Sequence, residues 1–171
     1  MSPPEIADPT FREALGDAGA DLDAALPAAL AHREVAAAER LLERGATLTL
    51  PAAVCTGRAA DIPRLGRMAS IPDRQAALAC ATLYGQAETL ATSIGLGVDV
   101  NGFSPPGFHP HGTALHHAVD SGSLETVKVL VEAGAELHTR DRAHNGTPLD
   151  WAEYLQRPPI AAYLREKGSP P

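Results

Sequence analysis

Apolar and small residues recur along most of this chain at the spacing of an α-helix, in short segments that are separated by glycines. Leucine and alanine positions three or four residues apart indicate helices with one apolar face. Gly45, Gly97 and Gly134 each follow such a segment, at the position where a helix commonly ends in a left-handed residue. The pattern predicts a series of short helix pairs, which must stack because a single pair cannot bury its apolar face.

Two consecutive segments of the chain, 112–138 and 146–168, repeat one another. The first reads GTALHHAVDSGSLETVKVLVEAGAELH and the second reads GTPLDWAEYLQRPPIAAYLREKG. Four pairs of identical residues are each 34 positions apart: Thr113 and Thr147, Leu115 and Leu149, Ala118 and Ala152, and Gly134 and Gly168. A fixed period of this length is the signature of a repeat protein.

The better-formed unit contains G-T-x-L-H-x-A, then G-x-L-E-x-V-K-x-L, then G-A-x-x-H, and it strongly resembles the ankyrin repeat, whose core signature is T-P-L-H-x-A. Weaker copies lie at 75–101 and 26–49, and a shortened copy without the β-turn finger lies at 50–74. The resemblance covers about 26–168 and implies an all-α solenoid of about five ankyrin-like helix-turn-helix repeats with β-turn fingers. It also implies that His116, at the signature histidine position, makes a hydrogen bond between repeats.

The two ends of the chain are predicted to depart from the repeat. Thr10 and Glu13 have the spacing of a capping box, so a helix is predicted within 1–25, where it would cover the exposed face of the first repeat. In the last unit the second helix begins at Pro158, which predicts a shortened helix because proline is tolerated at a helix start. Residues 169–171 are predicted to be a frayed tail.

The segment 101–112, which reads NGFSPPGFHPHG, is the clearest departure from a regular repeat. Its glycines and prolines cannot continue a helix and predict an ordered, protruding finger loop. The segment also holds Phe103 and Phe108, two of the three phenylalanines in the chain. They either fold back as a small local core or serve as anchors on a binding surface, where rigid aromatic side chains lose little entropy.

A partner-binding surface is predicted to combine this finger with the first helices of the repeats. The residues predicted to contact a partner are Phe103, Phe108, His109, His111, Asp120, Arg142 and Asn145. A basic stretch from Arg58 to Arg74 is either a solvated helix face or a surface for an acidic partner.

The charge balance excludes some kinds of partner. The 171 residues carry 21 acidic and 14 basic side chains, which give a formal net charge of −7. Such a balance disfavours binding to nucleic acid or to an anionic membrane, which requires clustered cations. The chain shows no signal pattern and no apolar run that would span a membrane, so a cytoplasmic protein is predicted. Twelve arginines against two lysines, together with the alanine content, predict a bacterial origin.

Candidate chemistry is sparse. Six of the seven histidines lie between positions 109 and 144, which raises a metal-site hypothesis because imidazoles bind zinc and nickel. The spacing argues against it, since His109 and His111 have no cysteine near them in the sequence. Cys55 and Cys80 are too few for a disulfide framework and are predicted to be buried. No catalytic motif is present, so neither a cofactor nor enzyme activity is expected.

A protein–protein interaction module is the function that these observations favour, with the partner bound by the concave ankyrin surface and the 101–112 finger. A regulatory or inhibitory subunit of a co-encoded enzyme or toxin is the main alternative. A metal-binding protein that uses the histidine loop and a small-molecule binder are further alternatives, although a flat repeat surface rarely offers a deep pocket. A monomer is the expected state.

Overall fold

The computed structural model describes residues 21–168, and the α-helices in this part of the chain are short. They are α1 (Leu22–Ala31), α2 (Val35–Glu43), α3 (Leu50–Cys55), α4 (Ile62–Met68), α5 (Ile71–Leu83), α6 (Ala87–Ile94), α7 (Ala114–Ser121), α8 (Leu124–Glu132), α9 (Pro148–Tyr154) and α10 (Pro158–Glu166). One turn of 3₁₀-helix, Ala59–Asp61, precedes α4. The predicted N-terminal capping helix falls largely on residues 1–20, which lie outside the described residues, as does the tail 169–171.

Within residues 21–168 the helices form five consecutive pairs. The first helices of the pairs, α1, α3, α5, α7 and α9, contact one another in chain order, and α6, α8 and α10 form a second row behind them. This part of the chain has no β-strand, and its only isolated β-bridge joins Phe103 and Thr113. The predicted all-α solenoid of about five helix pairs is therefore confirmed.

Small side chains allow the first helices to approach closely. All six residues of α3 are buried, and α5 is buried from Ala76 to Leu83. Close-packed apolar surface is the main source of stability, and this row contributes a large part of the hydrophobic core, together with leucines of the second helices such as Leu90 and Leu130. Cys55 and Cys80 lie within it as buried, free thiols, which confirms the prediction made for them.

Glycine is required at specific turns and at one helix contact. Gly45, Gly97 and Gly134 have φ values of +107°, +77° and +90°, so the predicted left-handed helix ends are confirmed. Gly66 within α4 serves another purpose. A Cβ at this position would lie 2.6 Å from Cδ1 of Leu96, so the absence of a side chain lets α4 pack against the turn after α6.

Candidate functional site

The first finger, residues 101–112, forms a closed hairpin that leads into α7. Its two arms meet at the bridge between Phe103 and Thr113, and the Ser104 N–H donates to the Gly112 carbonyl at 3.2 Å. At the tip the Phe108 N–H donates to the Pro105 carbonyl at 3.0 Å, across a Pro-Gly pair typical of a type II turn. The proline-rich tip is therefore held by its own backbone hydrogen bonds.

The two phenylalanines of the first finger have different surroundings. Phe108 is 6% exposed and belongs to the hydrophobic core, as in the local-core alternative. Its ring is covered in this conformation, so the expectation that Phe108 offers an accessible anchor is corrected. Phe103 is half-buried, and the Arg142 guanidinium lies 3.8 Å from its ring centroid, an arrangement that gives cation–π attraction. A contact of Phe103 with a partner remains a prediction.

The second finger, residues 139–146, is organised by the buried carboxylate of Asp141. This carboxylate accepts hydrogen bonds from the backbone N–H groups of Ala143, His144 and Gly146 at 2.7–2.8 Å and from Trp151 Nε1 at 3.0 Å. Burial raises the pKa of Asp141, but the hydrogen bonds outweigh it and hold the pKa well below its ordinary value. The finger is thus fixed by a side chain that is ionised at neutral pH.

Arg142 and Asn145 are exposed residues of the second finger. The Arg142 N–H donates to the His111 carbonyl at 2.7 Å, so the two fingers are joined side by side. Asn145 has a φ of +59°, a left-handed conformation that asparagine adopts more readily than most residues. The side chains of both residues remain predicted partner contacts.

His116 links consecutive repeats, as the resemblance implies. Its Nε2 donates to the Gly146 carbonyl at 3.0 Å, so its Nδ1 is the acceptor for the Thr113 N–H at 3.2 Å. One imidazole therefore caps its own helix and holds the next finger. Burial lowers the pKa of His116, which keeps the ring neutral and preserves this pair of roles.

A cavity of about 400 Å³ lies where the first finger meets the first helices, and we call it the finger pocket. Its lining residues are Ala31, His32, Arg33, Leu83, His109, His111, His117, Asp120 and Trp151. The fold thus brings together the predicted contact residues His109, His111 and Asp120. The other predicted contact residues do not line this pocket.

Three contacts tie the end of α1 to later parts of the chain, beside the finger pocket. They are the Tyr84 hydroxyl to the Leu30 carbonyl (2.9 Å), His109 Nε2 to the Ala31 carbonyl (3.0 Å) and the ion pair of Arg33 with Asp120 (2.5 Å). Because a carbonyl oxygen only accepts, His109 Nε2 is the protonated ring nitrogen in the second contact. The first repeat is therefore joined directly to the third and fourth.

Four imidazoles meet at the finger pocket. The ring centroid of His109 lies 6.2 Å from that of His32, 6.0 Å from that of His111 and 6.1 Å from that of His117. The His111 ring also stacks on the Trp151 indole, with 5.9 Å between centroids and 26° between planes. No group of three or more His, Cys, Asp or Glu side chains within residues 21–168 is positioned to hold a metal ion.

Six of the nine residues that line this pocket were not predicted from the sequence, and three of them carry aromatic rings: His32, His117 and Trp151. His32 is 77 positions from His109, and no motif connects them. His117 follows His116 on α7, and neighbouring helix positions point in different directions, so His117 lines the finger pocket while His116 bonds to the second finger. Trp151 carried no signal beyond being the one tryptophan of the chain.

The basic stretch from Arg58 to Arg74 is partly used within the fold. Arg64 pairs with Asp61 at 3.0 Å, and Arg74 Nη1 donates to the Leu96 carbonyl at 3.0 Å. These two contacts fit the alternative of a helix face with local partners. A docking surface for an acidic protein remains an untested alternative.

Comparison with known proteins agrees with this geometry. A family model described as ankyrin repeats, in three copies, matches residues 77–171, more than half of the chain. The chain belongs to the ankyrin repeat family. Ankyrin repeats are protein-interaction modules, so the family places this chain among proteins that bind other proteins. No helix in the described range 21–168 has the length and apolar character needed to cross a membrane.

Two curated relatives share part of the array. Protein phosphatase 1 regulatory subunit 27 of Homo sapiens is 52% identical over 62 residues, and the Mus musculus protein of the same name is 50% identical over 62 residues. Each match covers 36% of this chain and 40% of the relative. Both relatives are mammalian, so they give no support to the predicted bacterial origin.

Proposed function

We propose that this chain recognises a partner protein at the finger pocket and the two fingers beside it. The observation that carries the proposal is the convergence of five parts of the chain, the α1–α2 turn, the first finger and the first helices α5, α7 and α9, on one cavity of about 400 Å³. Loop residues that are held by a rigid scaffold are the usual location of binding function. The pocket combines an indole, imidazoles and an ion pair, which together offer both apolar contact and hydrogen bonds.

His111 is the residue on which the proposed binding energy is expected to depend most. Its ring is half-exposed, stacks on Trp151 and lines the finger pocket, so a partner side chain that enters the pocket meets this aromatic pair. Aromatic residues at the centre of an interface commonly cost 2 kcal/mol or more when truncated. Phe103, Arg142 and Asn145 are proposed to add contacts at the exposed edge.

The experiment begins with capture of the partner by the intact chain from its own host, followed by calorimetry with the purified partner. His111→Ala is expected to weaken binding about 30-fold, the equivalent of roughly 2 kcal/mol, while circular dichroism stays unchanged. His138→Ala is the matched control because His138 is exposed and does not line the pocket. Equal binding by the two variants would contradict the proposed site.

A regulatory subunit of an enzyme is the second candidate function, and the identity with protein phosphatase 1 regulatory subunit 27 favours it. The sequence alone framed this alternative as control of a co-encoded enzyme or toxin. The direct test is calorimetry of the intact chain with the purified catalytic subunit of protein phosphatase 1, together with an assay of phosphatase activity. Absence of binding would remove the phosphatase from consideration and leave recognition of another protein in place.

We also propose that the chain is a non-catalytic, cytoplasmic protein without a resident cofactor. Its monomer is proposed to carry the complete binding surface. The bacterial origin rests only on the excess of arginine over lysine and on the alanine content. Sedimentation analysis of the full chain tests the monomer directly.

A further inference from the structure

The histidine cluster contains one imidazole that the fold keeps from ionising. His117 is 1% exposed, and its Nε2 has no hydrogen-bond partner. Gly112 of the first finger packs closely against this ring. A Cβ added at Gly112 would lie only 3.1 Å from His117 Cε1. A proton added to Nε2 would therefore place a positive charge on a buried ring beside other imidazoles, which is costly.

The charged and titratable groups around the cluster come from every element that borders the finger pocket. They are His32 and Arg33 from the α1–α2 turn, His109 and His111 from the first finger, His116 and Asp120 from α7, Asp141 from the second finger, and Arg157 after α9. The one carboxylate that lines the pocket, Asp120, is already paired with Arg33. Burial, and then the neighbouring imidazoles of His111 and His109, lower the pKa of His117 to about 3.

We propose that the histidine cluster is an acid-sensitive latch: the first finger stays closed on α7 and on the α1–α2 turn at neutral pH, and it opens on mild acidification as His117 becomes hydrated and takes up a proton. The closed state excludes the proton and the open state accepts it. Acid therefore shifts the population toward the open finger without any other ligand. Opening breaks the bond between His109 and the Ala31 carbonyl and dismantles the finger pocket.

The size of the effect follows from proton linkage. With a pKa of about 3 in the closed state, and an ordinary histidine value of 6.5 in the open one, only the open state gains protons between these values. The stabilisation of the closed finger is complete above the ordinary value and is lost as the pH falls below it. The opening equilibrium constant should rise about 25-fold between pH 7 and pH 5. His116, whose pKa burial also lowers, acts in the same direction.

Hydrogen exchange of the full chain at pH 7 and pH 5, corrected for the intrinsic exchange rate, tests the latch without a partner. The amides of Ser104 and Arg142, which bond to the Gly112 and His111 carbonyls, should lose about 25-fold in protection at pH 5. The amide of Val127 in α8 should keep its protection. Equal losses in the finger and in α8 would indicate general unfolding and overturn the proposal, as would unchanged protection of the finger.

Variants separate His117 from the other imidazoles. His117→Asn keeps a neutral polar side chain that does not titrate in this range, so most of the pH dependence should disappear. His138→Asn, at an exposed histidine outside the pocket, should retain it. If His117→Asn does not fold, an NMR titration of the His117 ring in the natural chain decides, because titration near 6.5 with the finger closed would overturn the latch. The consequence for a bound partner rests on the proposed function, whereas these measurements do not.

Discussion

The last two helix pairs and the first two are held together in different ways, although all four place their first helices in one row. At the C-terminal end, Thr113 and Thr147 cap their helices with capping boxes, and His116 bonds to the Gly146 carbonyl of the next finger. At the N-terminal end, Asp21 and Thr49 cap α1 and α3, but α3 has only six residues and Pro27 lies within α1. The two regions therefore differ in helix regularity and in the inter-repeat bond that the signature histidine supplies, rather than in helix capping.

The N-terminal pairs replace the missing motif with contacts of their own. The Asp23 carboxylate accepts hydrogen bonds from the backbone and the hydroxyl of Thr47, which joins α1 to the turn before α3. Tyr84 reaches back to the Leu30 carbonyl, and Arg33 reaches Asp120. A degenerate repeat can therefore keep its place in the array through a few long-range bonds, and those of Tyr84 and Arg33 lie beside the finger pocket.

The largest expected change in stability comes from the core of the regular repeat, residues 112–138. Leu115 in α7 is 1% exposed and belongs to the hydrophobic core. Leu115→Ala should lower the free energy of unfolding by about 2–5 kcal/mol because it leaves a cavity between close-packed helices. Leu41→Ala is the matched change in the irregular region, the first two helix pairs. It should lower the free energy of unfolding by less, because Leu41 in α2 is only partly buried. Urea titrations of both variants measure the two changes, and equal losses of stability would show that the two regions do not differ in packing.

The sequence predicted the fold because the determinants of an ankyrin repeat are local. Thr113, Leu115, His116 and Gly134 act within their own unit or on the next one, so a motif match is enough to place them. The finger pocket depends instead on how far the first repeat curves back toward the fourth. The first repeat is joined to the fourth by contacts such as His109 to the Ala31 carbonyl and Arg33 to Asp120, which no local pattern encodes.

The first finger was also only partly predictable from local sequence. Its composition predicts an ordered loop, and the structure shows a hairpin with a hydrogen-bonded Pro-Gly turn at its tip. Sequence alone left open whether its phenylalanines face inward, because that depends on the surface beneath the hairpin. The structure buries Phe108 and leaves Phe103 under Arg142.

Replacement of Asp141, which holds the second finger, should give the second-largest loss of stability. Asp141→Asn should cost about 1.5–3 kcal/mol, because hydrogen bonds to a buried charged acceptor are lost or weakened. The depressed pKa means that this stabilisation is present above the ordinary aspartate value and is lost as the pH falls through the lower folded value. The deficit of the variant should therefore shrink in acid. Thermal unfolding from pH 7 to pH 3 measures this, and a pH-independent deficit would contradict it.

Gly66 gives a smaller effect in the irregular region. Gly66→Ala adds a methyl group that would lie 2.6 Å from Leu96 Cδ1, so overpacking of about 1–3 kcal/mol opposes a helix-propensity gain of up to about 1 kcal/mol. A net loss of about 1 kcal/mol is expected in a denaturant titration. Addition of Leu96→Ala to this variant should relieve the contact. A stabilised single variant would show that α4 does not depend on this close approach.

The smallest expected effect concerns the ion pair that joins the two regions. The side chains of Arg33 and Asp120 are 43% and 39% exposed, so solvent screens their attraction and the coupling should be about 0.2–1 kcal/mol. A double-mutant cycle with Arg33→Gln and Asp120→Asn measures it, and 1 M salt should reduce it further because exposed charges are screened. A coupling above about 2 kcal/mol that resists salt would show that the pair behaves as a buried one. The first repeat would then owe its position to this ion pair, rather than to the hydrogen bonds of Tyr84 and His109.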